Sequence, residues 1–212
     1  MMGRWRSPST ALTSALLLSV AASGALGHHE GMHPKQKMEK FGVVPDVLDV
    51  SPPDSVEVDY GNGADLHLGN QLTPTQVKER PLSVTWPTEK GALYTLAMVD
   101  PDAPSRDNAT LGEVKHWLVV NIPGTNLAKG DELAGYRGSG PPKGTGLHRY
   151  VFVVYRQPGQ LRVPGKRVPS SSREDRYRWS LRKFATKYNL GAPVAGNFFL
   201  AKWDEYVDTI PK

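Results

Sequence analysis

The chain of 212 residues contains no cysteine. Disulfides, thiolate metal centres and thiol nucleophiles are excluded, so a packed core must supply the stability. Beyond the first 27 residues there is no apolar run long enough to span a bilayer as a helix. Strong charge is missing as well. A formal net charge of +5 is too mild to argue for a nucleic-acid partner. Neither a G-x-S-x-G elbow nor an H-E-x-x-H helix occurs, so the chain does not read as an enzyme and implies no cofactor. Internal repeats and low-complexity blocks are also missing.

Hydrophobic residues make up 39% of the chain, with 18 Pro and 21 Gly, which fits one globular, turn-rich domain. The N-terminus reads as a secretory signal over residues 1–27. Arg4 and Arg6 precede the apolar stretch ALTSALLLSVAASGALG, and Ala25 and Gly27 suit a cut before His28. The expected product is a secreted, extracellular protein of about 185 residues. Residues 28–40 read as a flexible tail whose histidines are solvated rather than metal-bound. The single domain is expected over 41–212. Asn108 begins the only N-x-[ST] sequon, a glycosylation site if the chain is exported.

The body reads as strands. SVEVDYG alternates, and LSVTWP lies between two prolines. ALYTLAMV, HWLVVNIPG and RYVFVVYRQPG are apolar almost throughout, the pattern of strands covered on both faces. No long amphipathic helix separates the early ones, so antiparallel connections are expected. One late helix is predicted. Ser171 and Glu174 fit a capping box, Tyr177, Leu181, Phe184 or Ala185, and Tyr188 recur at helical spacing, and Gly191 ends it. Its positions Arg173, Arg176, Arg178, Arg182, Lys183 and Lys187 read as a solvated basic face, with peripheral contact to an anionic membrane as the alternative.

Chemistry gathers where strands begin and end. Asp100 closes ALYTLAMVD, His116 opens HWLVVNI, and His148 closes the loop GSGPPKGTGLHRY. If these strands are neighbours, the three residues surround one hollow. Glycines at 138, 140, 144 and 146 let the loop backbone approach a ligand and aim N–H groups at an anion. The loop is not a nucleotide loop. Lys143 precedes Gly144 rather than following a glycine, and Pro141-Pro142 removes two donors. Ser139 lies near His148 but has no nameable oxyanion partner.

DPDAPSR, HWLVVNIPG, GSGPPKGTGLHRYVFVVY and APVAGNFFLAKWDEYV closely resemble the phosphatidylethanolamine-binding protein family. VVPDVLDVSPP and GNQLTPTQVKERP resemble it too, in the same order, so the likeness runs from about Phe41 to Val207. The resemblance implies a mainly β fold: a central antiparallel sheet, a smaller second sheet and a few short peripheral helices. It also implies a monomer with a small anion pocket for a phospholipid headgroup or phosphate-like anion. Asp100, Asp102 and Pro104 match the first pocket motif, His116 the second, and Gly140, Pro142, His148 and Tyr150 the third. A protease or another protein is the alternative partner.

Two departures stand out. Many members read Trp-His-His where this chain reads Val114-Lys115-His116, which puts Lys115 at the pocket rim. Many animal members also carry a longer C-terminal helix. Asp102 is expected to fix its loop by an Asx-type bond or to pair with Arg106 or Arg149. Asp100 is expected to orient His116 or His148, or to share a proton with a phosphate oxygen. Each histidine is expected to give an anion one N–H, in a pocket too small for acyl chains. Ala103–Pro104 is expected to be cis.

Overall fold

The computed structural model describes residues 1–3, 34–61 and 63–211. Apart from residues 1–3, the expected signal peptide lies outside the described residues, as do the histidines of 28–33. The body is the unit Met32–Lys212. Within the stretch 28–40, expected to be a flexible tail, the described residues form helix α1 (Pro34–Lys40). Met38 inside it is only 1% exposed, so this part is docked by apolar burial. The single turn α2 (Val43–Asp46) follows, and buries Val43.

Among the described residues nine strands come next: β1 (Asp54–Ser55), β2 (Glu57–Asp59), β3 (Asn70–Gln71), β4 (Ser83–Thr85), β5 (Leu93–Asp100), β6 (Val114–Pro123), β7 (Asp131–Ala134), β8 (His148–Arg156) and β9 (Ala195–Ala201). Seven of them form the main sheet, in the order β1-β9-β8-β5-β6-β7, with β3 also on β9. Its body is antiparallel as expected, but the short β1 and β3 pair with β9 in parallel. β2 and β4 make the small second sheet.

The apolar runs explain the layering. β5, β8 and β9 are buried along almost their whole length because each face of the sheet has its own cover. On one face Leu96, Met98, Trp117, Tyr150 and Phe199 pack against Val58, Val84 and Trp86 of the second sheet region. On the other, Ala97, Val99, Val151, Val153 and Phe198 pack against Met38, Val43 and Leu48, and against helix α3 (Leu181–Lys187).

That helix is shorter than its pattern predicts. The cap is Ser180, whose hydroxyl accepts from the Lys183 N–H, and not Ser171. Residues 171–180 instead follow the edge of β6. Lys115 N–H donates to Arg176 O, Arg178 N–H to Leu111 O, and Trp179 N–H to Glu113 O. Asp175 and Arg178 take positive φ to do so, and these tertiary bonds override the local helical pattern. Among the described residues no helix is long and apolar enough to cross a membrane.

Candidate functional site

β5, β6 and β8 are adjacent, and their antiparallel pairing brings the end of β5 to the starts of the other two. Asp100 pairs with Val114, and Val99 with Val151. Asp100, His116 and His148 therefore meet at one end of the sheet. Alternation decides which side chains share a face. Along β8, His148 and Tyr150 face the second-sheet side, while Arg149 faces α1 and α2. On β6 the register slips between the Met98–Trp117 and Val99–Lys115 pairs, leaving His116 as the extra residue of a bulge. The bulge puts His116 on the same side as Trp117 and sends Lys115 to the opposite face, with Leu118, Leu133 and Trp179. The expectation of Lys115 at the pocket rim is thus corrected.

Asp100 organises the floor. Its Oδ1 accepts from the Asp102 N–H at 2.7 Å, an Asx-type closure of the turn, and its Oδ2 accepts from His148 Nδ1 at 2.9 Å. His148 Nε2 lies 2.9 Å from the Thr145 hydroxyl, which donates its own proton to Pro142 O. His148 therefore sits between two acceptors, and both ring nitrogens are engaged within the protein. Tyr150 stacks between His148 and Phe199, hydrogen-bonds Asp100, and accepts from the Gly140 N–H at 3.4 Å. Burial, and then the Asp100 charge, push its hydroxyl well above 10, so it stays a protonated donor.

His116 differs from the sequence expectation. Its Nδ1–H donates to Arg137 O at 2.8 Å, and its ring meets Tyr150 edge-on with centroids 5.2 Å apart. Burial pushes its pKa below the usual 6.5, against the opposing charge of Asp100. The ring is neutral near pH 7, with its one N–H spent. Nε2 offers the cavity a lone pair, not the charged donor that was expected.

These groups line a cavity of about 630 Å³, with Ala103, Pro104, Val114, Gly140 and Pro142. It is roomier than the small pocket expected. Three wall residues were not foreseen there: Arg137, Arg173 and Arg176. Arg176 is 1% exposed, so it does not belong to a solvated face. Its guanidinium donates to the carbonyls of Ser172, Lys115, His116, Gly135 and Pro169 at 2.7–3.0 Å, tying three segments together. The last wall is the 3-10 turn Glu205–Thr209, which with Ile210 brings Val207 and Asp208 to the cavity. A Cβ on Gly140 would lie 3.2 Å from Ile210 Cδ1, a tight approach.

Asp102 does not line the cavity. It lies on the far side of its turn, only 1% exposed, and accepts from Arg149 N, Nε and Nη2 at 2.6–2.9 Å. Arg149 also donates to Phe41 O, Gly42 O and Asp46, so the pair docks the N-terminal helices beneath the site. Of the alternatives for Asp102, the Arg149 pair is the one present, and the Asx acceptor is Asp100. Ala103–Pro104 is cis. Ser139 is fully buried, with no hydrogen bond to its hydroxyl. Among the described residues no group of three or more His, Asp or Glu could hold a metal.

The profile of the family described as phosphatidylethanolamine-binding protein matches residues 59–199. A putative odorant-binding protein A5 from Drosophila melanogaster is 38% identical over 175 residues, covering 82% of this chain and 83% of that protein. A 26 kDa secreted antigen from Toxocara canis is 44% identical over 158 residues, covering 74% of this chain but only 60% of that protein's length. Among solved structures, a carboxypeptidase Y inhibitor in complex with its cognate proteinase superposes with a TM-score of 0.69 at 26% identity, over 81% of this chain and 95% of the inhibitor. Matched across most of its body in sequence and in fold, the chain belongs to the phosphatidylethanolamine-binding protein family.

Proposed function

We propose that this chain is a secreted binding protein, not an enzyme, whose cavity at the end of the main sheet takes the phosphate of a phospholipid headgroup, phosphatidylethanolamine by family. One observation carries the reading. Asp100, His116, His148, Tyr150, Gly140, Pro142 and Pro104 come from three strands and two loops and line a single cavity. Within it a phosphate can draw the Tyr150 hydroxyl away from Asp100 and take the Gly140 N–H, whose bond to Tyr150 is long at 3.4 Å, as donors. Each such bond to a charged group contributes about 1.5–3 kcal/mol. The phosphodiester of a lipid carries no proton to give, so donation to His116 Nε2 or to Asp100 is open only to a monoester probe such as phosphoethanolamine in its protonated form. Acyl chains stay at the mouth or outside it, in a micelle or membrane surface.

The test is nuclear magnetic resonance with phosphoethanolamine as the added probe. Backbone shifts should move at Gly140, His116, His148 and Tyr150 and saturate together. Shifts confined to other parts of the sheet, or none, contradict the reading.

Export is part of the proposal. A relative bears the name secreted antigen, and Asn108 lies exposed in the turn where its N–H donates to Ser105 O, open to a glycan. N-terminal sequencing of the secreted protein should begin near His28, and glycosidase should lower its mass. A second reading, a protease-directed regulator, is favoured by the likeness to the carboxypeptidase Y inhibitor. Inhibition of a serine carboxypeptidase that survives loss of headgroup binding would move it ahead.

A further inference from the structure

The cavity holds more positive charge than a single phosphate needs. Arg137 is clamped to the site by its backbone: its N–H donates to His116 O at 2.9 Å, and its carbonyl accepts from His116 Nδ1. Its side chain is poorly provided for. Nη1 reaches only the Ser170 and Ser171 carbonyls, at 3.3 and 3.4 Å, and the buried Nη2 has no hydrogen-bond partner. A buried guanidinium donor without an acceptor is costly to leave so.

Its charged neighbours do not help. Arg173 repels it, and burial together with that repulsion lowers its pKa. Arg176, in the same wall, spends its donors on backbone carbonyls, so its charge meets no carboxylate. Lys143 stands over the Trp203 ring at 4.4 Å. Among the described residues Arg137, Arg173 and Lys143 make no ion pair. Asp100, the acid on the cavity floor, is engaged by His148. Asp208, on the last wall, accepts from Trp203 Nε1. The wall therefore has a fork of planar donors and no acid in front of it.

We propose that Arg137 and Arg173 form a second anion subsite of this cavity, so that the preferred ligand carries a carboxylate as well as a phosphate, as the phosphoserine headgroup does. This rests on the phosphate reading above, with the phosphate at the Asp100–Tyr150–Gly140 end. Both ends line the same cavity, and the Arg137 backbone touches the His116 ring. A carboxylate meets a guanidinium through two parallel charged hydrogen bonds, a geometry that an ammonium-ended headgroup cannot use.

Phosphoserine differs from phosphoethanolamine by that carboxylate alone, which makes the pair a clean probe. Calorimetry should show the unaltered protein binding O-phosphoserine roughly tenfold more tightly than phosphoethanolamine, a difference of about 1.4 kcal/mol. Arg137→Gln should remove the preference, so that the variant binds the two compounds with the same affinity. Arg173 is exposed, so Arg173→Gln, which should reduce the preference, gives a second readout that does not burden the fold. Sedimentation with phosphatidylserine vesicles tells a lipid headgroup from free phosphoserine as the source, and either supports the subsite. Equal affinities in the unaltered protein, or a preference that survives both substitutions, overturn the subsite but leave the phosphate reading standing. Binding of neither compound overturns both.

Discussion

Asp100 Oδ2 and His148 Nδ1 lie 2.9 Å apart, both side chains almost wholly buried, across 48 residues of sequence. The contact joins the end of β5 to the start of β8. It also explains why two aspartates alternate with prolines after an apolar strand. Asp100 faces the cavity and holds His148, while Asp102, turned the other way by the Asx closure, holds Arg149.

The Asp102–Arg149 pair should matter to stability rather than to ligand contact. Arg149→Ala leaves a buried carboxylate and frees the α1–α2 segment, so it should destabilise by about 3–5 kcal/mol. Asp102→Ala should cost a similar amount, and the double variant much less than the sum, because the groups act as one unit. Urea unfolding of the three variants measures this.

Lys115 should be irrelevant to the ligand. The bulge at His116 puts it on the opposite face, and burial pushes its pKa down there. Lys115→Met should leave phosphoethanolamine affinity unchanged in a fluorescence titration. A clear loss would place the residue at the cavity after all.

The buried character of β5, β6 and β8 and the place of Asp100, His116 and His148 at strand ends were legible because they rest on local pattern, apolar runs with polar ends. That the strands are neighbours is only a condition at that level, and local pattern does not choose His148 over His116 as the partner of Asp100. Other features depend on contacts between distant segments. The bulge reverses every side chain of β6 ahead of Trp117, and no composition rule announces it. Arg176 looks like a surface residue until the carbonyls it collects from 115–116, 135 and 169–172 are brought around it. The ten residues before α3 carry a fair capping box, yet their backbone groups bond the loop before β6 instead. Arg137 gave only a faint signal, as a cation at the start of the glycine loop.

Glu113 should impose a pH dependence on stability. Burial raises its pKa to about 7, against the bond it accepts from the Leu181 N–H. The folded state thus holds a proton that the unfolded chain has released above about 4.5. The stability this proton provides is full below about pH 4.5 and is lost as pH rises through 7. Glu113→Gln, which keeps an oxygen for Leu181, should stabilise by about 1–3 kcal/mol at pH 8 and by almost nothing at pH 4.5. His116 acts in the opposite sense. Held neutral with a lowered pKa, it costs stability as pH falls below about 6.5. Denaturant midpoints across this range test both.

Ligand binding should also follow pH. Because His116 is neutral and Asp100 is an acceptor, a phosphomonoester probe binds better while it still carries its second proton. Affinity for phosphoethanolamine should fall as pH rises through its second ionisation near 6. Glycerophosphoethanolamine, a diester without that proton, should show a much flatter profile. Equal slopes for the two would mean that the titrating group belongs to the protein.

The most direct measurement is a calorimetric titration of the unaltered protein and Tyr150→Phe with phosphoethanolamine at one pH and salt concentration. The ring of residue 150 keeps its stacking on Phe199, at 5.0 Å, and only the hydroxyl is lost. A headgroup phosphate seated between Tyr150 and Gly140 predicts saturable binding that weakens by about 1.5 kcal/mol, more than tenfold, in the variant. Equal affinities in two folded proteins would contradict the site and leave the protease-directed reading as the better account.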